Sequence, residues 1–380
     1  MSLVLFPLAF APFSSLAQEV ELAHREGGKF VGAAGCKSSS CHGGAGEKRS
    51  QYLTWSQKDF HTRGYAILTT ARSARMAETL RLPPAQESNR CTVCHSPFQS
   101  VPPHRLASTA RADEGVSCES CHGAAGNWLR GHTRSDWSYN TRVGAGMRDL
   151  RNLYVRANAC VACHQNLAPE ILKAGHPDLF FELDGQSVAQ PKHWRDEESW
   201  SGVREWLTGQ AVALREMSWA LGKDVEEDSL SVARWNGLAW LCAIVSAQTR
   251  MTSPVASPTA APGKSDFTSM QTQADALARR ASVSDWEDSS IHSLLLSLAS
   301  TDSDFAVNSP ANASIAQRAK RLVLGCDRLT NALGRARGTP LKIETELNQL
   351  FADVKTLDPF DATSFASHLR TFRAALEREK

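Results

Sequence analysis

Apolar and polar positions follow different rules in the two halves of the chain. From about Glu197, apolar residues recur at steps of three and four, the spacing that lays one stripe along a helix. Trp200, Val203, Leu207, Leu214, Met217 and Leu221 share one stripe. Ile315, Ala319, Leu322, Cys326, Leu329 and Leu333 form another, which Gly334 is expected to stop. Thr339-Pro340 opens a further helix with Ile343, Leu347, Leu350 and Val354 inward. A last one carries Phe365, Leu369, Phe372 and Leu376, and residues 252–265, rich in Pro, Ala, Ser and Thr, read as a flexible connection.

The first half lacks such periods. Residues 18–53 are Gly- and Ser-rich and read as loop. From Thr54, a candidate N-cap, to Leu82 before Pro83-Pro84, good helix formers predict a helix with Phe60, Ile67, Ala71 and Ala74 near one face. Residues 85–195 are broken by Pro, Gly, Asn and Ser, with short helices expected after each of the cysteine motifs described next. The fold class expected is mainly α: an irregular first domain with little regular sheet over residues 18–196, then an α-helical bundle over residues 197–380.

Cysteine spacing changes this picture most. Cys91, Cys94 and His95 form a CxxCH motif, as do Cys118, Cys121 and His122, and Cys160, Cys163 and His164. Cys36, Cys41 and His42 form a longer version. CxxCH is the attachment signature of a c-type haem: two thiols can form thioethers to one porphyrin, and the adjacent imidazole then lies beneath the iron. Structural zinc is the rival, since paired CxxC units also make zinc ribbons, but a ribbon has no need of a histidine after every second cysteine. The expected cofactors are four haem c groups, with porphyrin faces serving the irregular domain as core, and the helical half without haem.

Composition adds bounds. A chain of 380 residues with 42% hydrophobic and 22% charged residues fits two or three globular domains. Eight of the ten cysteines belong to the motifs, leaving Cys242 and Cys326, so the protein is not built on disulfides. The net charge of +2 hides an asymmetry: residues 18–195 carry +6 and residues 196–380 carry −4. Sixteen of the 22 basic residues in the former are Arg, suited to pair with haem propionates. No basic run is dense enough to suggest nucleic acid as a partner. Leu3 to Leu16 is an apolar run ending in Ser15-Leu16-Ala17, which reads as a signal peptide (1–17) cleaved after Ala17, though no basic residue precedes it. Thioether attachment takes place outside the bacterial cytoplasm, so the expected location is periplasmic or otherwise exported. No other segment is expected to cross a membrane, leaving no transmembrane segment in the mature chain.

With His42, His95, His122 and His164 as proximal ligands, the other iron faces need partners. His24, His61, His104, His132, His176 and His193 remain in this half, a surplus that favours bis-histidine ligation over Met76 or Met147. The run GVSCESCHGAAGNWLRGH resembles the third-haem region of the tetrahaem cytochrome c-554 family, and WSQKDFH and GHPDLFFEL resemble other parts of that family and its multihaem relatives. The resemblance covers about residues 30–195. It implies closely packed haems and distal ligands at His61, His132 and His176; His193 is the fourth candidate, and His132 could serve its own motif's haem or a neighbouring one. One haem of that family is typically five-coordinate, a feature the histidine surplus leaves open. The segment Arg234 to Ser246 resembles a further haem motif of longer relatives, but Val245 and Ser246 replace its second cysteine and histidine, so Cys242 reads as a core residue.

The function expected is electron transfer between redox partners, a protein donor and acceptor such as a multihaem oxidoreductase or a quinol-oxidising membrane complex. The alternative is an enzyme that reduces a nitrogen oxide or acts on hydroxylamine at one haem with an open axial position. No triad or phosphate loop points to other catalysis, and a third reading makes the helical half a docking module or a scaffold.

Overall fold

The computed structural model describes residues 27–194, 202–223, 229–249, 254–259, 261–305 and 313–379. The expected leader (1–17), His24 and Trp200 lie outside the described residues, as do positions 252–253 and 260 of the expected connection. The structure is 63% helix, and the described residues form no sheet. Phe30 and Leu106 make one isolated parallel bridge. Contacts gather the described residues into two compact units. The first holds those up to Arg151, Ala162–Leu179, and those from Val188 to 194; the second holds Asn152–Val161, Phe180–Ser187 and those beyond 201. Helix Leu153–His164 thus gives its first turns to the second unit and its last turn to the first.

In the first unit the helices are short, and three of them end on a motif histidine: Asn89–His95, Cys118–His122 and Leu153–His164. Three motifs therefore occupy helix C-termini. The reason is geometric, since residues i and i+3 share a helix face and a CxxC pair needs both thiols on one side. The short elements expected after the motifs are present too, as Gln51–Lys58, the 3-10 turns Pro97–Ser100 and Ala125–Asn127, and Pro169–Lys173. The long helix expected from Thr54 to Leu82 is instead three helices, Gln51–Lys58, Gly64–Leu68 and Ala71–Thr79, with a 3-10 turn at Phe60–Arg63. Asp59 and Thr70 break it, each turning its side chain onto the backbone N–H two or three residues on, at His61 and Ser73. Phe60 and Ile67 are exposed.

The first unit is tied by a buried carboxylate. Glu119, inside the third motif and 2% exposed, accepts the N–H groups of Val31 (3.0 Å), Gly32 (2.7 Å) and Ala125 (2.6 Å). Glu114 accepts that of Ala33 at 2.9 Å. These bonds fasten the backbone before the first motif to the third. Burial pushes Glu119 upward, opposed by the N–H groups it accepts. Apolar packing here is modest, as in the cluster of Phe30, Phe98, Val101 and Ala124.

The second unit follows its stripes. Helices Gly202–Gly222 and Lys264–Ala281 pack together, as do Ser229–Thr249 and Ala313–Arg337; Asp288–Ala299 also packs on Ala313–Arg337, and Glu344–Asp353 on Ala362–Leu376. Helix Ala313–Arg337 runs past Gly334 and stops before Gly338, whose φ of 71° closes the end. Ser229–Thr249 is long and apolar enough to cross a membrane, which the sequence reading did not anticipate; 67% of its most apolar stretch is buried, as in a core helix. Cys242 and Val245 are fully buried in it, and the Ser246 hydroxyl, also buried, donates to Ala243 O and accepts Val255 N–H. Burial pushes the Cys242 thiol up to about 12. Cys326 is fully buried too.

A polar knot holds helix Leu153–His164 in this unit. Arg215, 3% exposed, pairs with fully buried Glu216 (2.6 Å) and with Asp275 (2.9 Å), and donates to Asn158 Oδ1 (2.5 Å) and the Tyr154 hydroxyl (3.1 Å). Tyr154 in turn donates to Asp275 at 2.5 Å.

Two expectations follow. Glu119→Gln keeps the shape but places an amide NH2 where an oxygen accepted a backbone N–H, and should cost about 1–3 kcal/mol in denaturant titration; an unmoved midpoint would take this tie away from Glu119. Gly237→Ala would put a methyl 2.8 Å from the Gln317 carbonyl carbon, where helices Ser229–Thr249 and Ala313–Arg337 touch. Overpacking of this kind costs about 1–3 kcal/mol, read as a lower midpoint in thermal unfolding.

Candidate haem-binding site

All four motif histidines lie in the first unit, and each faces one histidine from outside the motifs. His42 lies opposite His132, with ring centres 6.1 Å apart and planes 20° from parallel. His164 faces His61 at 6.0 Å, His95 faces His176 at 6.1 Å, and His122 faces His193 at 6.5 Å. His132 thus stands against the first motif, not against His122 ten residues earlier. His104 is exposed in the turn Pro103–Arg105 and belongs to none of the four pairs. His292 and His368 lie in the second unit, His368 bonded to Asp353 at 2.8 Å.

The spacing has a chemical meaning. Two metal–imidazole bonds of about 2 Å each, laid end to end with half a ring behind each nitrogen, separate ring centres by roughly 6 Å. Each pair therefore fits one metal ion held between two imidazoles. Among the described residues no group of three or more His, Cys, Asp or Glu side chains converges on a common point. A bare zinc ion would lack its tetrahedral set, whereas a porphyrin brings four of its own nitrogens and asks the protein for two. The donor set fits haem. Burial reinforces this by pushing His122 and His164 down to about 4, and His95 down as well, which keeps these imidazoles in the neutral form that ligates metals.

The thiols are placed to match. No disulfide joins any of the ten cysteines. Cys91 and Cys94, Cys118 and Cys121, and Cys160 and Cys163 sit three apart on the last turns of their helices, all half-buried. Cys36 and Cys41 lie in turns, where His42 N–H closes on Cys36 O at 3.3 Å. Gly43 allows that loop: a Cβ there would fall 1.8 Å from Lys37 O, so no side chain fits. The Cys36 and Cys118 thiols hydrogen-bond each other, which draws Cys36 down and drives Cys118 up, and which sets the first and third motifs side by side.

The imidazole that faces each motif histidine is oriented through its Nδ1–H. His132 donates to Leu129 O, His176 to Pro177 O (2.7 Å) and His193 to Pro191 O (3.2 Å). The Trp128 ring stands edge-on to His132 at 5.4 Å. His61 alone of these four donates to a carboxylate, Asp59, at 2.9 Å. Among the motif histidines, His42 Nδ1 donates to Gln51 Oε1 at 3.1 Å. His61 is also pinned through its backbone, since its carbonyl accepts Val116 N–H at 3.1 Å, and the Trp55 indole donates to Val116 O at 3.1 Å.

Asp59 and Gln51 escaped the sequence reading. Asp59 had a signal, a short acid two residues before a histidine, which can reach both that residue's N–H and its ring. Gln51 had none, because a glutamine nine residues from a histidine is ordinary in any chain.

The family model described as cytochrome c554 and c-prime matches residues 35–123, the stretch from the first motif to the third. No curated protein and no solved structure matches the chain. That stretch is similar to the cytochrome c554 and c-prime family, and the match supports a c-type cytochrome, with haem c as cofactor and electron transfer as function.

Proposed function

We propose that this cytochrome is exported and carries electrons between two protein partners along four haems, one on each motif, every iron held by imidazole on both faces. The observation that carries the reading is the set of four facing imidazole pairs at 6.0 to 6.5 Å, each joining a motif histidine to a histidine from elsewhere. Haem supplies a one-electron couple at iron when bound. The chain's part is to attach it through Cys36 and Cys41, Cys91 and Cys94, Cys118 and Cys121, and Cys160 and Cys163, and to hold its axial positions. His42 and His132, His95 and His176, His122 and His193, and His164 and His61 are those axial pairs.

Two imidazoles on an iron leave no position for a substrate, and this favours a carrier over an enzyme acting on nitrogen oxides or hydroxylamine. One haem of the resembling family is typically five-coordinate, whereas here every motif histidine has a second imidazole facing it. The Arg-rich first half offers guanidinium forks for propionates. Export follows from thioether attachment and from the apolar run before Ala17. The resemblance points to a multihaem oxidoreductase or a quinol-oxidising membrane complex as donor or acceptor.

Mass spectrometry of the mature protein should show four haems, and low-temperature EPR only low-spin ferric signals, unmoved by cyanide or nitric oxide. A high-spin signal that shifts with either ligand would overturn the carrier reading in favour of the enzyme. His132→Gly should open one iron alone: one high-spin haem that binds cyanide, with three low-spin haems left. Loss of all four signals together, in a variant that still carries its haems, would contradict the pairing.

A further inference from the structure

The four axial pairs are alike in spacing but differ in what stands behind the distal ring. His132, His176 and His193 donate to neutral backbone carbonyls. His61 donates to Asp59, whose side chain is 5% exposed. The same Oδ1 accepts the His61 backbone N–H at 3.0 Å, which locks the carboxylate against the ring. Its other oxygen accepts Gln190 Nε2 at 3.3 Å. The charge is thus held in place and sheltered from salt, where its effect on a neighbour is largest.

A carboxylate that accepts the Nδ1–H of a ligating imidazole draws that proton toward itself and makes the far nitrogen a stronger donor to the metal. A stronger, more anionic donor favours the ferric over the ferrous ion. Neutral carbonyls polarise the ring in the same sense but more weakly, because charge-assisted hydrogen bonds are roughly twice as strong as neutral ones.

Resting on the four-haem reading above, we infer that Asp59 is a positioning residue that sets the redox order, giving the haem on His164 and His61 the lowest midpoint potential, so that it is the last of the four to be reduced. Gln190 moderates the effect by sharing the carboxylate's charge.

The test is a spectroelectrochemical titration of the holoprotein with EPR on the same samples. Asp59→Asn is isosteric and keeps a neutral acceptor for His61, so it should shift one of four midpoints upward, leave three in place and keep every haem low-spin. Gln190→Ala frees charge on Asp59 and should move the same midpoint downward. A purely structural role would produce no such opposed pair of shifts. The inference is overturned if Asp59→Asn moves no midpoint, moves all four alike, or only turns one haem high-spin, which would make Asp59 a simple support for His61. Failure of the underlying reading looks different: the unmodified protein would then carry fewer than four haems, or a high-spin one.

Discussion

An imidazole can bond a metal only along the axis of its ring nitrogen, so two imidazoles that share an ion must face each other at one distance. The histidine rings of the first unit have that spacing. Eight rings from distant parts of the chain are brought into four facing pairs at 6.0 to 6.5 Å, a precision that extensive apolar packing would normally supply. Clusters such as Leu68, Ala77 and Ala85 are small. Order comes instead from directed polar bonds. Glu119 gathers three backbone N–H groups, Trp55 and Val116 hold the segment after Asp59, and Arg105 donates twice to Gly28 O. Directed bonds suit a site whose tolerance is a few tenths of an ångström, because each fixes an angle as well as a distance.

The second unit answers a different constraint. Its helices bury Trp206, Trp235, Phe267, Phe305, Phe365 and Phe372 completely and bring backbones together at Gly237. Several of its charged groups are paired in or near the core: Arg215 meets Glu216 and Asp275, and the half-buried Arg328 meets Glu182 (3.1 Å) and the buried Asp184 (2.7 Å). Tyr154 and Asn158 belong to the Arg215 knot while lying on the helix that ends in the fourth motif. A role as scaffold for that helix therefore has a physical basis in Tyr154, Asn158, Arg215 and Asp275.

Much of this was legible beforehand. The motifs could be read because thioether attachment is local chemistry, with thiol, thiol and imidazole fixed within a few residues of one another. The stripes of the helical half could be read because helix period is local too. The helix from Thr54 to Leu82 was misread because propensity alone does not show that Asp59 and Thr70 turn their side chains onto the backbone. The end of the long helix near Gly334 was misjudged for a related reason: a glycine stops a helix only when the chain beyond it turns away, and that happens at Gly338.

What the sequence by itself determined is which histidines were available and which thiols flank four of them. Which histidine faces which was decided only by the tertiary structure, because pairing depends on folding distant segments together and no local pattern encodes it. His132 shows the difference. It follows the third motif in the chain, yet its ring faces His42 of the first, since Glu119 fastens the backbone before the first motif to the third and Trp128 stands beside the ring. Asp59 is a second case: the sequence showed only an acid near a histidine, and the fold buried it, turned it onto the His61 ring and left His132, His176 and His193 on carbonyls.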